Sequence, residues 1–276
     1  MRDLCTEWAE VSREPFDMLV AKDGYILFHG VFGENLRGKF TLDEPTEIAS
    51  ITKLYTGLLF ALFVDQGLIG IDDPVGKYLP DFPTSGEKAV TLRQCFTHTS
   101  GFYGHGSLGG VQNPWLDNSL ALWLPYIEPG KRHYYNGMGY NLAYGIRSTA
   151  YDMAVVGQML LNRGSYGDLC FFSEESYEAL LPVDLEEYFP EIKNKMWGIG
   201  ITPMNRYLKD EDSGEERNIL SDHVIGHGSA TSSILNVDLE NKILITQSRM
   251  DGGKQYHDYL NKAYLLIEKY FDTNTP

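Results

Sequence analysis

Three short stretches combine residue types that can share one reaction. In Ser50-Ile51-Thr52-Lys53 a hydroxyl and an amine stand three residues apart, just ahead of the apolar run Leu54–Val64. If that run is helical, Ser50 lies at its N-terminus and Lys53 follows one turn on, with Cβ atoms roughly 5–6 Å apart. A serine hydroxyl becomes a nucleophile when a neighbouring base takes its proton, and a partly desolvated lysine is neutral often enough to help. The same helix start offers backbone N–H groups without intrahelical acceptors, which suit a developing oxyanion. In Tyr134-Tyr135-Asn136 an extended backbone would put the Tyr134 phenol and the Asn136 amide on one side. The third stretch, Ile225-Gly226-His227-Gly228-Ser229-Ala230, surrounds an imidazole with small residues and leads into an apolar strand, so a ligand could approach the backbone closely. Each also has a plain structural use: a helix start, core tyrosines beside a turn-forming Asn, and a packed histidine.

A scaffold must bring these groups together, and the apolar periodicities outline one. Met18–Ala21 and Tyr25–His29 flank Lys22-Asp23-Gly24, and an Asp-Gly pair between apolar runs predicts a hairpin because Gly tolerates positive φ. A second hairpin is predicted from Ser232–Asp238 and Lys242–Ser248, completing the sheet from the far end of the sequence. From Gln255 to Phe271, Tyr259, Leu260, Ala263, Tyr264, Leu266, Ile267 and Tyr270 recur at helical spacing, as a helix covering one sheet face requires. Leu54, Leu58, Leu62 and Asp65 share another helical period, with Gly67 as its stop. Gly and Pro cluster at Phe82–Gly86, Gly101–Pro114 and Glu128–Gly130, while the polar run Asp210–Asn218 reads as an exposed turn. The expectation is one domain over 1–276, with a sheet part from about 1–50 and 195–276 and a mostly helical part over about 51–194.

Composition narrows the function. Twenty-three Lys and Arg against 38 Asp and Glu leave a formal charge of −15, which repels phosphate backbones and argues against nucleic acid as a partner. No apolar run approaches the roughly 20 residues of a membrane-spanning helix, and the charged start of the chain lacks the apolar stretch of a signal peptide, leaving the compartment open. Cys5, Cys95 and Cys170 are odd in number and widely spaced, against a disulfide framework or a zinc site. No HExxH pair, phosphate loop or dinucleotide fingerprint occurs, so neither metal nor nucleotide cofactor is expected.

Taken in order, Ser50-x-x-Lys53, Tyr134-x-Asn136 and His227-Gly228-Ser229 resemble the serine β-lactamase and penicillin-binding-protein-like superfamily, in its class C β-lactamase and esterase-like branch. Glu47–Lys53, Gly67–Val75 with Tyr78-Leu79-Pro80, and Thr91–Gly101 resemble the family's connecting text. The resemblance implies an α+β, β-lactamase/transpeptidase-like fold: an antiparallel sheet flanked by helices, a mostly helical subdomain, and the site between them. It implies Ser50 as acylated nucleophile, Lys53 and Tyr134 sharing the proton transfers, and Asn136, His227, Gly228, Ser229 and Ala230 binding substrate. Backbone N–H groups of Ser50 and near Ala230 would form the oxyanion hole.

Two departures bear on the substrate. His227-Gly228-Ser229 stands where many relatives carry Lys-Thr-Gly, replacing a fixed cation by an imidazole that is largely neutral near pH 7. That points toward a neutral ester or amide, esterase-like, with β-lactamase or D-Ala-D-Ala carboxypeptidase activity as the alternative and a catalytically impaired binding module as another. In relatives the helix begun by Tyr140–Gly145 continues for a few dozen residues before the segment matching Ser148–Ala154, but here the two abut at Ile146-Arg147. Either one wall of the cleft is lost, or residues are absent from the sequence at that place.

Overall fold

The computed structural model describes residues 1–271 apart from 36–37, 43, 81, 88, 101–142, 189, 191, 194 and 210–213. Two compact units emerge: Met1–Leu54 with Leu142–Phe171 and Thr202–Pro276, and Tyr55–Asn141 with Phe172–Ile201. Residues 142–171, expected with the helical part, group with the sheet.

In chain order the principal elements are α1 (Arg2–Ser12), β1 (Phe16–Lys22), β2 (Tyr25–Phe32), β3 (Thr46–Glu47), α2 (Thr52–Asp65), α3 (Leu92–Phe96), β4 (Arg147–Ser148) and α4 (Ala150–Leu161). They continue as β5 (Thr202–Pro203), β6 (Val224–Gly228), β7 (Ile234–Asp238), β8 (Ile243–Arg249) and α5 (Tyr256–Phe271). The first unit is built on an antiparallel sheet of strand order β5-β6-β7-β8-β1-β2. Both predicted hairpins form. Asp23 (φ 51°) and Gly24 (φ 82°) make the β1–β2 turn with both residues left-handed, as a two-residue hairpin of this hand demands. In the second, Asp238 pairs with Ile243 and Ile234 with Gln247. The sheet closes from the far end, β1 pairing with β8 from Phe16↔Arg249 to Lys22↔Ile243.

Alternation along β8 decides the two faces. Ile243 and Ile245 join Met18, Val20, Val224 and Ile234 in one apolar core, covered by Cys5, Trp8 and Ala9 of α1 and by Tyr259, Leu260, Ala263, Tyr264 and Ile267 of α5. Fully burying one such aliphatic side chain contributes about 1.5–3 kcal/mol. Leu244 and Thr246 point the other way, to α4: Gly157 lies against the Leu244 side chain, and the Thr246 hydroxyl donates to Ala150 O at 2.7 Å. With helices on both faces, all seven residues of β8 are buried.

Some elements depart from expectation. Helix α1 was read only as a charged start, yet Cys5, Trp8, Ala9 and Ser12 form its buried side. On α5, Tyr270 turns to solvent and Leu266 is largely exposed, while Glu268 is buried and accepts both Arg217 Nη1 and Nη2 at 2.8 and 3.0 Å. That Arg217 lies in a strand, Glu216–Ile219, paired with Arg206–Lys209, so the second half of the supposed exposed turn is a hairpin arm. A paired, buried carboxylate on a helix face is invisible to apolar periodicity.

In the second unit α2 ends at Asp65, followed by Gly67 at φ 69°, the expected stop. Gly57 admits the backbone of Ile199, since a Cβ there would sit 2.1 Å from Ile199 O. Thr91 and Gln94 cap α3 reciprocally, and Asp72 receives Arg93 Nε and Nη2 at 2.6 and 2.9 Å. Among the described residues no helix is long and apolar enough to cross a membrane.

Candidate active site

Ser50 does not open α2 directly. It sits in a 3-10 turn, Ala49–Ile51, that tightens the entry to the helix. Ala49 carries φ 41°, a left-handed value costly for a residue with a Cβ, so the surroundings must hold the turn in place. Across it the Lys53 ammonium donates to Ser50 Oγ at 3.0 Å and to the Ala143 carbonyl at 3.0 Å. Lys53 is half-buried, and the loss of hydration pushes its pKa below the ordinary 10.5. Burial thus favours the neutral amine, whose lone pair accepts from the serine hydroxyl. That reversal of donor and acceptor is what a general base requires.

A clamp on one side is made by the stretch where the two family segments abut. Strand β4 pairs with β3 (Thr46↔Ser148, Glu47↔Arg147), Ile48 N–H donates to Ile146 O at 3.1 Å, and Ile146 N–H donates to the Thr52 hydroxyl at 3.2 Å. The short connection is therefore part of what seats Ser50 and Lys53. Ala143–Gly145, which the resemblance makes the start of a helix, is not helical: Gly145 has φ 127°, and Ala143 is in a turn that offers its carbonyl to Lys53.

The opposite side is the edge of β6, which packs against the 3-10 turn. Gly226 (φ 147°) lets β6 and β7 approach, since a Cβ there would lie 1.8 Å from Leu235 O. His227 follows, buried, its Nδ1–H donating to Gly228 O at 2.5 Å. A carbonyl only accepts, so Nδ1 holds a proton and directs it there. Beyond Gly228 the chain leaves the sheet through Ser229, half-buried, and Ala230, exposed in a turn. Thr231 Oγ1 there donates to Glu47 O at 3.1 Å.

The structure thus gathers Ser50, Lys53 and the His227–Ala230 stretch within one unit. Tyr134 and Asn136 lie outside the described residues. Reading the sequence missed Thr52, Ala143, Ile146, Thr231 and the Glu47 carbonyl, of which only the two threonines had a signal: a hydroxyl inside or just beyond a motif.

With this geometry in view, the Beta-lactamase family model matches residues 16–146. Penicillin-binding protein 4* of Bacillus subtilis is 30% identical over 152 residues, 50% of this chain and 33% of that protein. Teichoic acid D-alanine hydrolase of Staphylococcus aureus is 38% identical over 96 residues, 34% of this chain and 23% of that protein. The match therefore spans a third or less of these curated relatives. The solved octameric penicillin-binding protein homologue of Pyrococcus abyssi superposes with a TM-score of 0.64 at 16% identity, over 99% of this chain and 77% of that one, which establishes the fold. Over residues 16–146, just under half of the chain and including the Ser50–Lys53 turn, the sequence is that of the Beta-lactamase family, and the fold of the whole agrees with a penicillin-binding-protein homologue.

Proposed function

We propose that the protein is a cofactor-independent serine hydrolase that forms a covalent acyl-enzyme at Ser50 from a neutral ester or amide, in the manner of an esterase. The observation that carries this reading is the 3.0 Å contact between Lys53 Nζ and Ser50 Oγ at an amine whose pKa burial depresses. Neutral Lys53 takes the hydroxyl proton as Oγ attacks the substrate carbonyl. The resulting oxyanion is met by Ser50 N–H, which has no acceptor inside the 3-10 turn, and by the backbone near Ala230. Collapse breaks the bond to the leaving group, which departs with the proton that Lys53 carried. Water then attacks the acyl carbonyl, losing its proton to the same amine; as the Oγ–acyl bond breaks, Lys53 returns that proton to Ser50 Oγ, releasing the acid and restoring the free hydroxyl and neutral amine.

Family resemblance gives Tyr134 a share in these proton transfers and Asn136 the substrate's polar groups. His227, its Nδ1 proton directed to a backbone carbonyl, puts an imidazole where many relatives carry a lysine, in place of a fixed cation for a substrate carboxylate. That favours neutral substrates over β-lactams or peptides ending in D-Ala-D-Ala. A relative named teichoic acid D-alanine hydrolase supports an acyl substrate.

The test is intact-mass analysis after exposure to p-nitrophenyl acetate, a fluorophosphonate and nitrocefin, beside turnover of the first and last. Wild type should gain one adduct on Ser50 and turn over the ester faster, while Ser50→Ala should keep its circular dichroism and gain none. Turnover of nitrocefin alone would reassign the protein as a β-lactamase; folded wild type that never acylates would make it a binding module.

A further inference from the structure

We propose that Thr231 is a positioning residue for the acylation step, holding the loop of the second oxyanion donor in register with the nucleophile turn; this rests on the hydrolase reading above. The loop Ser229–Ser233 is tethered at three places. Ser233 Oγ donates to Arg249 O at 2.9 Å and accepts Arg249 N–H at 3.0 Å, tying its end to β8. Tyr256 Oη donates to Ser232 O at 2.8 Å, tying its middle to α5. Both of these fix the loop to the sheet unit's frame and say nothing to Ser50. The third tether does: Thr231 Oγ1 donates to Glu47 O at 3.1 Å, three residues before the nucleophile, and among the described residues it is the loop side chain bonded to that segment.

Each hydroxyl has one hydrogen, and the assignment that keeps the Glu47 tether makes a directed chain, with Ser233 O 3.1 Å from Ser229 Oγ and Ser233 Oγ 3.2 Å from Thr231 Oγ1 as competing acceptors. Ser229 donates to Thr231 Oγ1 at 2.8 Å, and Thr231 spends its own hydrogen on Glu47 O. Polarised in series, the two bonds strengthen one another. The chain starts one residue before Ala230 and ends on the strand that enters the Ser50 turn. Ser232 (φ 62°), its N–H donating to Ser229 O at 3.0 Å, closes the turn tightly, so Ala230 cannot move without Ser229 and Thr231. An oxyanion donor is useful only within a few tenths of an ångström of its working place, and a misplacement of about 1 Å costs on the order of a hundredfold in rate.

Thr231→Val keeps the shape and removes the tether; Thr231→Ser keeps the tether and trims the shape. On p-nitrophenyl acetate, Thr231→Val should lower kcat and the acylation burst about tenfold with KM within about twofold, because the donor acts on the transition state. Thr231→Ser should stay within about threefold of wild type. Ser229→Ala should fall between, and adding it to Thr231→Val should cost nothing more, since both interrupt one chain. A folded Thr231→Val with wild-type kcat would overturn the proposal, as would Thr231→Ser losing as much as the valine. If the valine variant does not fold, Thr231→Ser and Ser229→Ala decide: wild-type kcat in Ser229→Ala then overturns it. Wild type without a Ser50 adduct sinks the hydrolase reading and takes this proposal with it; unimpaired acylation in the valine variant sinks this one alone.

Discussion

Replacing Gly226 by alanine perturbs the site through its strand without touching a reacting atom. Two costs add. At φ 147° an L residue is strained by about 1–3 kcal/mol. The new Cβ would also stand 1.8 Å from Leu235 O, where contacts under 3.0 Å essentially never occur, so β6 must retreat from β7 by about 1.2 Å. Gly226 is paired on both sides, with Thr202 of β5 and Asn236 of β7, and a retreat of that size breaks one or two ladder hydrogen bonds worth about 1 kcal/mol each. The sum, about 2–5 kcal/mol, lowers the melting temperature by roughly 4–20 °C at 2–4 °C per kcal/mol. Gly24→Ala is the control: φ is 82° but nothing lies within 4 Å, leaving only backbone strain of about 1–2 kcal/mol. Gly228→Ala, whose Cβ would meet Met204 Cε at 3.5 Å, should melt near wild type. Thermal unfolding followed by circular dichroism ranks the three. Equal losses in Gly226→Ala and Gly24→Ala would refute the close approach of β6 and β7 as what glycine is there to permit.

Burial holds the Lys53 pKa below 10.5, so its proton is lost at lower pH than from free lysine; the Ser50 acylation rate should rise with pH and level off below 10.5. Lys53→Arg, which keeps its proton throughout, should lower the rate about 10²–10⁴-fold and flatten that rise, and a rise that persists would remove Lys53 from the base role. His227→Lys restores a cation, and the ratio of benzylpenicillin to p-nitrophenyl acetate acylation should climb about ten- to a hundredfold, the worth of one charge-assisted hydrogen bond; an unchanged ratio in a stopped-flow comparison would show that this position does not select against carboxylates. Cys5 is fully buried and its thiol is pushed up to about 12, whereas Cys170 is exposed. Iodoacetamide at pH 8 should alkylate Cys170 in native protein and Cys5 only after denaturation, and peptide mapping that finds early Cys5 modification would contradict the packing of α1.

What the sequence disclosed follows the range of the forces involved. The Asp23-Gly24 hairpin and the spacing from Ser50 to Lys53 are local, set by backbone conformation within a few residues, and both were legible. Helix α5 was legible because its apolar side faces one continuous core, though Glu268 sits on that side by virtue of Arg217, fifty-one positions away. Helix α1 carried a readable period in Cys5, Trp8, Ala9 and Ser12, which the charges of Arg2, Asp3, Glu7 and Glu10 on its other sides obscured. The clamps around Ser50 were illegible in principle. Ala143, Ile146 and Glu47 take part through backbone atoms that every residue possesses, and they meet Lys53, Thr52 and Thr231 across 90, 94 and 184 positions of chain.

The pairing of β1 with β8 sets a problem for biosynthesis. The edge of β1 that β8 will cover emerges from the ribosome early, and its partner follows more than two hundred residues later. At 5–20 residues per second that interval is roughly 10–45 s, during which Phe16-Asp17-Met18-Leu19-Val20-Ala21 offers an open row of amides and carbonyls to any other nascent strand. Cellular yield should therefore respond to translation speed and to chaperones that shield such edges, and it should do so even when the finished protein is fully stable.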